Sequence, residues 1–475
     1  MLSTSAFVSL VLGFALVRFF WPRVAATIYV LAIPAFPFYW TPFSVVALND
    51  VSVLQMLATG LAVGMTLESW RDMMHKTLDV PRIAVEAAVF SMIVIWSLSS
   101  FDVATTTGVI RSTFFGLLDY WVPFVLALRL ARDLRAVREV LWLIAVPAVV
   151  VAALAAYEYA SQTPIVYAFF ADLNSSTGTL QWNPALRAGL LRVQVSFGQA
   201  TFLAFYLISA GLLLVVLGNT ATTRFRRLTA YFSSILVFLV SLLPLVRGAI
   251  VGLLVCLAVL VVIAGGRLRR TLFALMAVGL IAIWLTAGFL DRTNSFLADF
   301  VLTVIGQAPI SVQAQQLENI NSRIDLVQVG SDLISRSPPL GYGDLSIYGT
   351  NPIQDTANTY LEVGLISGPI GLGLFLLLLT VAAVNLARVR LSEDNPSRVA
   401  LLNGIIVCYV LTIMCWFDSS WPGQLVQVQF IVLGLAIGWR RMNAGTVVSE
   451  VNSKSSQGFI GRVDPAAARR ARAVS

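Results

Sequence analysis

Seven arginines in this sequence stand where arginine is least expected. Arg111, Arg187, Arg192, Arg247, Arg292, Arg323 and Arg336 fall between apolar stretches, on the side whose loops should be poor in basic residues. A guanidinium stays charged and its planar fork binds phosphate through two parallel N–H groups. Arg187 and Arg192 lie in NPALRAGLLRVQVSFGQATF, at the start of an apolar stretch. On a helix they would occupy roughly adjacent faces, and both could reach one pyrophosphate. Arg247 lies in LPLVRGAIVG, in a very tight turn flanked by Pro244 and Gly248. A guanidinium held between two helix ends is costly there unless an anion meets it. Arg323 and Arg336 belong to ENINSRIDLVQVGSDLISRSPPLGYGD. Its apolar residues Ile324, Leu326 or Val327, Val329, Leu333 and Ile334 predict a short amphipathic helix on a membrane surface. Pro338, Pro339, Gly341 and Gly343 then end it. Such a helix could serve as a lid or simply pack over helix ends. For Arg111 and Arg292 the alternative is that long side chains at helix ends reach for the interface.

The same segment closes with DTANTYLEVGL, where polar chain turns into an apolar helix. Thr359 and Glu362 have capping-box spacing, and Asp355 or Thr356 could cap one turn earlier. In either case the helix presents its free N–H groups and positive dipole end to an anion. Asp355 is read either as a catalytic carboxylate or as a cap. Asn358 either orients a substrate hydroxyl or phosphate, or closes the turn. The single histidine, His75, lies in WRDMMHKTLD on the predicted cytoplasmic side, away from these arginines, and is assigned no role, which leaves no Ser-His-Asp triad or histidine-based zinc site beside them. No P-loop, GxGxxG or carboxylate motif for magnesium is present, so neither metal nor cofactor is expected. Cys256, Cys408 and Cys415 fall within or at the end of apolar spans and read as small buried residues.

The elements that must position these residues are membrane helices. The 475-residue chain is 58% hydrophobic and 12% charged, with mean hydropathy +0.84. About thirteen windows are long and apolar enough to span a bilayer core. They fall near 4–20, 24–40, 46–67, 83–99, 113–130, 140–156, 193–216, 228–245, 248–265, 271–289, 359–386, 400–416 and 424–440. Their continuity argues for helices rather than barrel strands. The expected fold is therefore all-α, a polytopic transmembrane helix bundle of about 12–13 spans. Residues 1–442 form the helical domain, with one large periplasmic loop at 290–358, and residues 443–475 a disordered cytoplasmic tail. With the N-terminus outside, alternate loops carry most of the basic residues, among them Arg18, Arg23, Arg129, Arg227, Arg270 and Arg390. That fringe accounts for most of the net charge of +8, so the charge points to membrane lipid rather than to nucleic acid.

Four stretches resemble, in order, the bacterial O-antigen ligase and polymerase superfamily. They are LRAGLLRVQVSFGQATFLAFYL, LPLVRGAIVGLLV, NSRIDLVQVGSDLISRSPPLGYGD and ANTYLEVGLISGPIGLGLFL. Arg187 to Gly198 also fits the R-x10-G pattern associated with the polymerases. The resemblance implies a metal-independent glycosyltransferase of the bacterial inner membrane, active on its periplasmic face. The implied substrate is an oligosaccharide on undecaprenyl pyrophosphate. Arginines matching Arg187, Arg247 and Arg323 are expected to bind the pyrophosphate, with Arg192 and Arg336 beside them. A chain-length regulator and export machinery are implied as partners. Ligases of the family begin the last motif with His-Asn, the histidine being the proposed base. Here Ala357 stands in that place, followed by Asn358, and Asp355 becomes the nearest candidate base. The expectation is an exopolysaccharide-type polymerase. A ligase and a lipid-linked sugar flippase are the alternatives.

Overall fold

The computed structural model describes residues 3–37, 40–45, 49–74, 80–98, 106–131, 133–166, 168–169, 186–187, 190–244, 246–264, 266, 269–270, 272–273, 325–343, 358–419 and 423–439. Helices α1 (Thr4–Phe20), α2 (Pro22–Ala35), α3 (Val53–Met74) and α4 (Val80–Leu98) come first. Helices α5 (Thr106–Gly116) and α6 (Val122–Leu130) run on through a π-helical turn at Leu117–Trp121. Helices α7 (Leu134–Ala145) and α8 (Pro147–Ser161) follow, then α9 (Ala200–Thr220), α10 (Arg224–Val240) and α11 (Arg247–Ile263). Helix α12 covers 325–336. Helices α13 (Thr359–Ser392), α14 (Pro396–Asp418) and α15 (Leu425–Gly438) complete the bundle. Two small antiparallel hairpins, β1 (Phe43–Val45) with β2 (Asn49–Val51) and β3 (Leu186–Arg187) with β4 (Leu190–Leu191), decorate the helix ends. The all-α polytopic expectation is borne out. Twelve of the thirteen sequence windows coincide with helices. The thirteenth, 271–289, lies outside the described residues apart from Leu272 and Phe273.

Length and composition explain why these segments are helices in a bilayer, where every backbone N–H and C=O must find a partner within its own segment. Among the described residues, five helices are long and apolar enough to cross a membrane, and five shorter apolar helices accompany them. Helix α9 is the hub: it packs against α10, α14 and α7, and residues Phe202 through Gly218 are all buried. Helix α15 is likewise buried along its whole length. With lipid as solvent, contact between helices depends on close packing, so small residues mark the crossings. Gly60 and Gly64 of α3 meet Phe14 and Arg18 of α1, and Gly434 and Gly438 of α15 meet the α6 backbone and Ala131. Cys256, Cys408 and Cys415 are buried and free, as the sequence suggests.

One end of the bundle is neutralised by paired charges. Arg18 contacts Glu68 at 2.7 Å, and Arg129 reaches Glu68 at 3.1 Å and Glu86 at 3.4 Å. These pairs knit α1, α3, α4 and α6 together. Arg390 adds bonds to the Ile263 carbonyl at 2.7 Å and to Asn403 Oδ1 at 3.1 Å. The arginines used here are those of the basic loops.

The window 359–386 reads as one continuous span, but α13 is broken. Gly368 adopts φ 66° and is followed by Pro369. Proline cannot donate a backbone hydrogen bond, and only glycine takes this φ without strain. The turn after α12 fills the gap: Tyr342 N and Gly343 N donate to Leu365 O and Ile366 O at 2.9 Å each, and Ile370 N donates to Pro339 O at 3.3 Å. Gly341, at φ 80°, faces Gly368, and a Cβ on either would overlap the other's backbone nitrogen. Helix α12 then lays Leu326, Gly330, Leu333 and Ile334 toward the bundle, Gly330 against Leu361 and Ile334 against Gly364. The amphipathic helix expected from the sequence is therefore present, docked on the first half of α13. Beyond the break, Ile370, Leu377, Val381, Val384 and Leu391 form an outward apolar stripe at helical spacing.

Gly368→Ala and Gly341→Ala each force a Cβ into backbone at positive φ. Each is expected to cost about 2–4 kcal/mol, lowering the unfolding midpoint in detergent and exposing residues 338–343 to protease. Wild-type midpoints in both variants would mean that the break tolerates side chains.

Candidate functional site

The opposite end of the bundle gathers residues from four distant parts of the chain. The first is the approach to α9. The sequence suggests a helix carrying Arg187 and Arg192, but α9 starts only at Ala200. Arg187 sits in β3, its backbone paired with Leu190, and Arg192 lies in an extended loop. Apolar residues in that loop mimic the start of a span; its irregular backbone is satisfied from outside. Buried Glu158 of α8 accepts from Gln194 N and Val195 N at 3.2 Å each. Gln162 Oε1 accepts from Leu191 N at 3.1 Å, and Ser196 Oγ donates to Pro34 O at 2.6 Å. These bonds hold Val195 at φ 50°, a rare conformation for a β-branched residue. Arg192 is thus presented on a rigid loop.

Half-buried Arg192 donates from Nε to Pro244 O at 3.2 Å, in the turn between α10 and α11. Burial pushes its pKa down from the ordinary guanidinium value, and the carboxylate of Asp418 pulls it back up. An arginine keeps its charge through such shifts. Asp418 ends α14 and lies against Gly248, where a Cβ would overlap its carboxylate. A carboxylate in the first turn of α11 meets the positive end of that helix, whose cap residue Val246 supplies no side-chain bond. Arg247 is the first residue of α11, next to this contact.

The fourth part is the start of α13. Thr359 donates to Ser419 O from its backbone N at 2.9 Å and from Oγ1 at 2.8 Å. The cap is Asn358 rather than the Thr359 and Glu362 box or Asp355: its Oδ1 accepts from Tyr360 N at 2.9 Å and Leu361 N at 3.2 Å. Asparagine is among the strongest N-caps, and the adjoining Thr359 is taken up by its bond to α14. Asn358 is buried, at 6% exposure. The loop of Arg192, the turn of Arg247, the end of α14 and the start of α13 are therefore bonded or packed at one end of the bundle.

Other sequence candidates stand apart. Arg336 is exposed on the outer face of α12 and pairs with Asp332 at 2.9 Å. Arg111 lies over the Phe115 ring at 5.5 Å. Arg323, Arg292 and Asp355 lie outside the described residues. Sequence reasoning passed over Asp418. Its signal was an acidic residue closing the apolar span in CWFDSSWPG, on the side of the scattered arginines. Among the described residues, no three His, Cys, Asp or Glu side chains gather as metal ligands.

Fold and site together define a multi-pass helical membrane protein with an arginine-bearing polar end assembled from loops and helix termini. Residues 232–376 match the family model described as O-Antigen ligase, so this stretch is similar to the O-antigen ligase and polymerase superfamily. The match runs from α10 to the second half of α13 and so spans Arg247, α12, Asn358 and the helix break. It supports ligase- or polymerase-type glycan transfer in broad terms, with a lipid-linked glycan as substrate. No curated protein matches the chain.

If Gly248 leaves room for the Asp418 carboxylate, Gly248→Ala should destabilise the protein. The same change at an open helical position stabilises by about 1 kcal/mol. Adding Asp418→Ala is expected to restore the unfolding midpoint, with a coupling of at least about 0.5 kcal/mol. Additive midpoints would place the carboxylate elsewhere.

Proposed function

We propose that the protein is a polysaccharide polymerase. It joins undecaprenyl-pyrophosphate-linked repeat units at the periplasmic face of the bacterial inner membrane. The observation that carries the reading is the convergence of Arg192, the first turn of α11 with Arg247, Asp418 and the start of α13 at one end of the bundle. Cation and helix N-termini there suit a diphosphate. At the other end Arg18 and Arg129 are already matched by Glu68 and Glu86.

In the proposed reaction an acceptor hydroxyl oxygen of one lipid-linked repeat attacks the anomeric carbon of the growing chain. The C–O bond to pyrophosphate breaks, its electron pair leaves with the diphosphate, and the acceptor proton passes to a carboxylate. Asp355 is the proposed base, at the position before Thr356-Ala357-Asn358. Arg187, Arg192, Arg247 and Arg323 stabilise the leaving charge as preorganised electrostatics, and Arg336 attracts the anion from the surface of α12. Asp418 holds Arg192 in place, and the capped start of α13 directs its dipole at the same anion. The bilayer confines both lipids and supplies proximity. A ligase reading is favoured by the description of the matching family. Ala357, where the ligases have histidine, weighs against it.

Deleting the gene and analysing lipid-linked glycans by mass spectrometry separates these readings. Single repeats accumulating on the carrier in the outer leaflet are expected. Full-length polymer stranded on the carrier would mean a ligase, and repeats trapped in the inner leaflet a flippase. Arg192→Ala and Arg247→Ala are expected to cut polymer formation about a hundredfold at unchanged protein level, a loss of about 3 kcal/mol. Lysine in either place should recover little, since a point charge lacks the fork. Normal polymer from both alanine variants would remove the pyrophosphate clamp.

A further inference from the structure

Asp119 is a carboxylate set inside the bundle, in the π-helical turn between α5 and α6. A π turn within a membrane helix often marks a functional position, and an ionisable group inside a span calls for a partner. Its partners among the described residues are amides: Gln427 Nε2 donates to Oδ1 at 3.0 Å and Gln55 Nε2 to Oδ2 at 3.4 Å. Both glutamines lie within the first turn of their helices, α15 and α3, at the end of the bundle that carries Arg192. Gln427 is 2% exposed, and its Oε1 has no hydrogen-bond partner among the described residues.

Two cavities meet at this carboxylate. One of about 170 Å³ is lined by Ser52, Gln55, Asp119, Gln424 and Gln427. The other, of about 410 Å³, is lined among others by Trp96, Ser97, Ser112, Asp119, Tyr120 and Ser367. Gly343 of the docked turn and Ile366 of α13, just before the break, also line it, so it opens beneath that turn. Ser97 Oγ and Ser367 Oγ donate to carbonyls of their own helices, at 3.1 Å and 2.6 Å, which leaves their oxygens as acceptors. The walls therefore offer aromatic faces, hydroxyl oxygens, amides and a carboxylate.

We infer that these cavities form a sugar subsite, in which Asp119, Gln427 and Gln55 bind hydroxyl groups of the lipid-linked glycan. The inference rests on the glycan-transfer reading above. A sugar ring has an apolar C–H face, which packs on Trp96 and Tyr120, and a rim of hydroxyls that both donate and accept. Carboxylate and amide oxygens take the hydroxyl protons, and the amide N–H groups meet the hydroxyl oxygens. A phosphate is disfavoured by the carboxylate, and a hydrocarbon tail would strand the polar walls. The subsite thus takes the carbohydrate, separate from the arginines that take the diphosphate.

The test uses the purified full-length protein in nanodiscs and two probes, followed by calorimetry. One is the phosphate-free repeat-unit oligosaccharide, released by mild acid from the host's lipid carrier. The other is inorganic pyrophosphate. Wild type is expected to bind both. Asp119→Asn and Gln427→Leu should weaken the oligosaccharide at least about tenfold and leave pyrophosphate unchanged. Arg192→Ala should do the reverse. Ser112→Ala, at an exposed position of the larger cavity, provides a variant that does not threaten folding and should weaken the oligosaccharide alone. Oligosaccharide affinity unchanged in all three cavity variants, or absent from wild type, overturns the subsite. Where pyrophosphate still binds in that case, the transfer reading stands; where it does not, both fall.

Discussion

A few backbone hydrogen bonds across the break in α13 hold the site end of this protein together. Hydrocarbon leaves no water to satisfy an interrupted helix, so a gap must be filled by other protein or line a cavity. The turn at 339–343 fills this one, and in doing so ties α12 to residues 359–367. That half-helix carries the Asn358 cap and the Thr359 bonds to α14. The α14 end carries Asp418, which lies against Gly248 of α11 and acts electrostatically on Arg192. Position therefore passes from the break to the first turn of α11 through a chain of short contacts, and Arg192 is tied to the turn before that helix by its bond to Pro244 O.

Much of the scaffold was legible because a bilayer core imposes a length on every apolar run. Order and sidedness followed: the sequence put Arg192, Arg247 and Asn358 at one end and Arg18, Arg129 and Arg390 at the other, and the bundle groups them so. What escaped depends on contacts distant in sequence. Hydropathy stays high across Gly368-Pro369, so the break left only a two-residue signal. The loop before α9 holds Val193, Val195 and Phe197 and reads as membrane until Glu158 is seen to bind its backbone. Asn358 displaced the capping box because Thr359 was needed elsewhere.

Single carboxylates were the hardest to see. Asp119 and Asp418 are lone acidic letters in or beside apolar runs, with no spacing motif around them. Their meaning lies in what surrounds them: two glutamines bonded to one, and for the other a glycine packed against it and an arginine within its field. The charged pairs at the opposite end make the contrast plain. Glu68 and Glu86 are engaged with arginine, while Asp119 is held by neutral amides.

The outward stripe of Ile370, Leu377, Val381, Val384 and Leu391 begins where the broken helix resumes. On the proposed function, a molecule with a charged head and a very long hydrocarbon tail has to be gripped at one end only. The stripe gives that tail a rail alongside the helix whose start faces the head. The carrier can then be exchanged by sideways diffusion in the leaflet, without being lifted out of the lipid between one addition and the next.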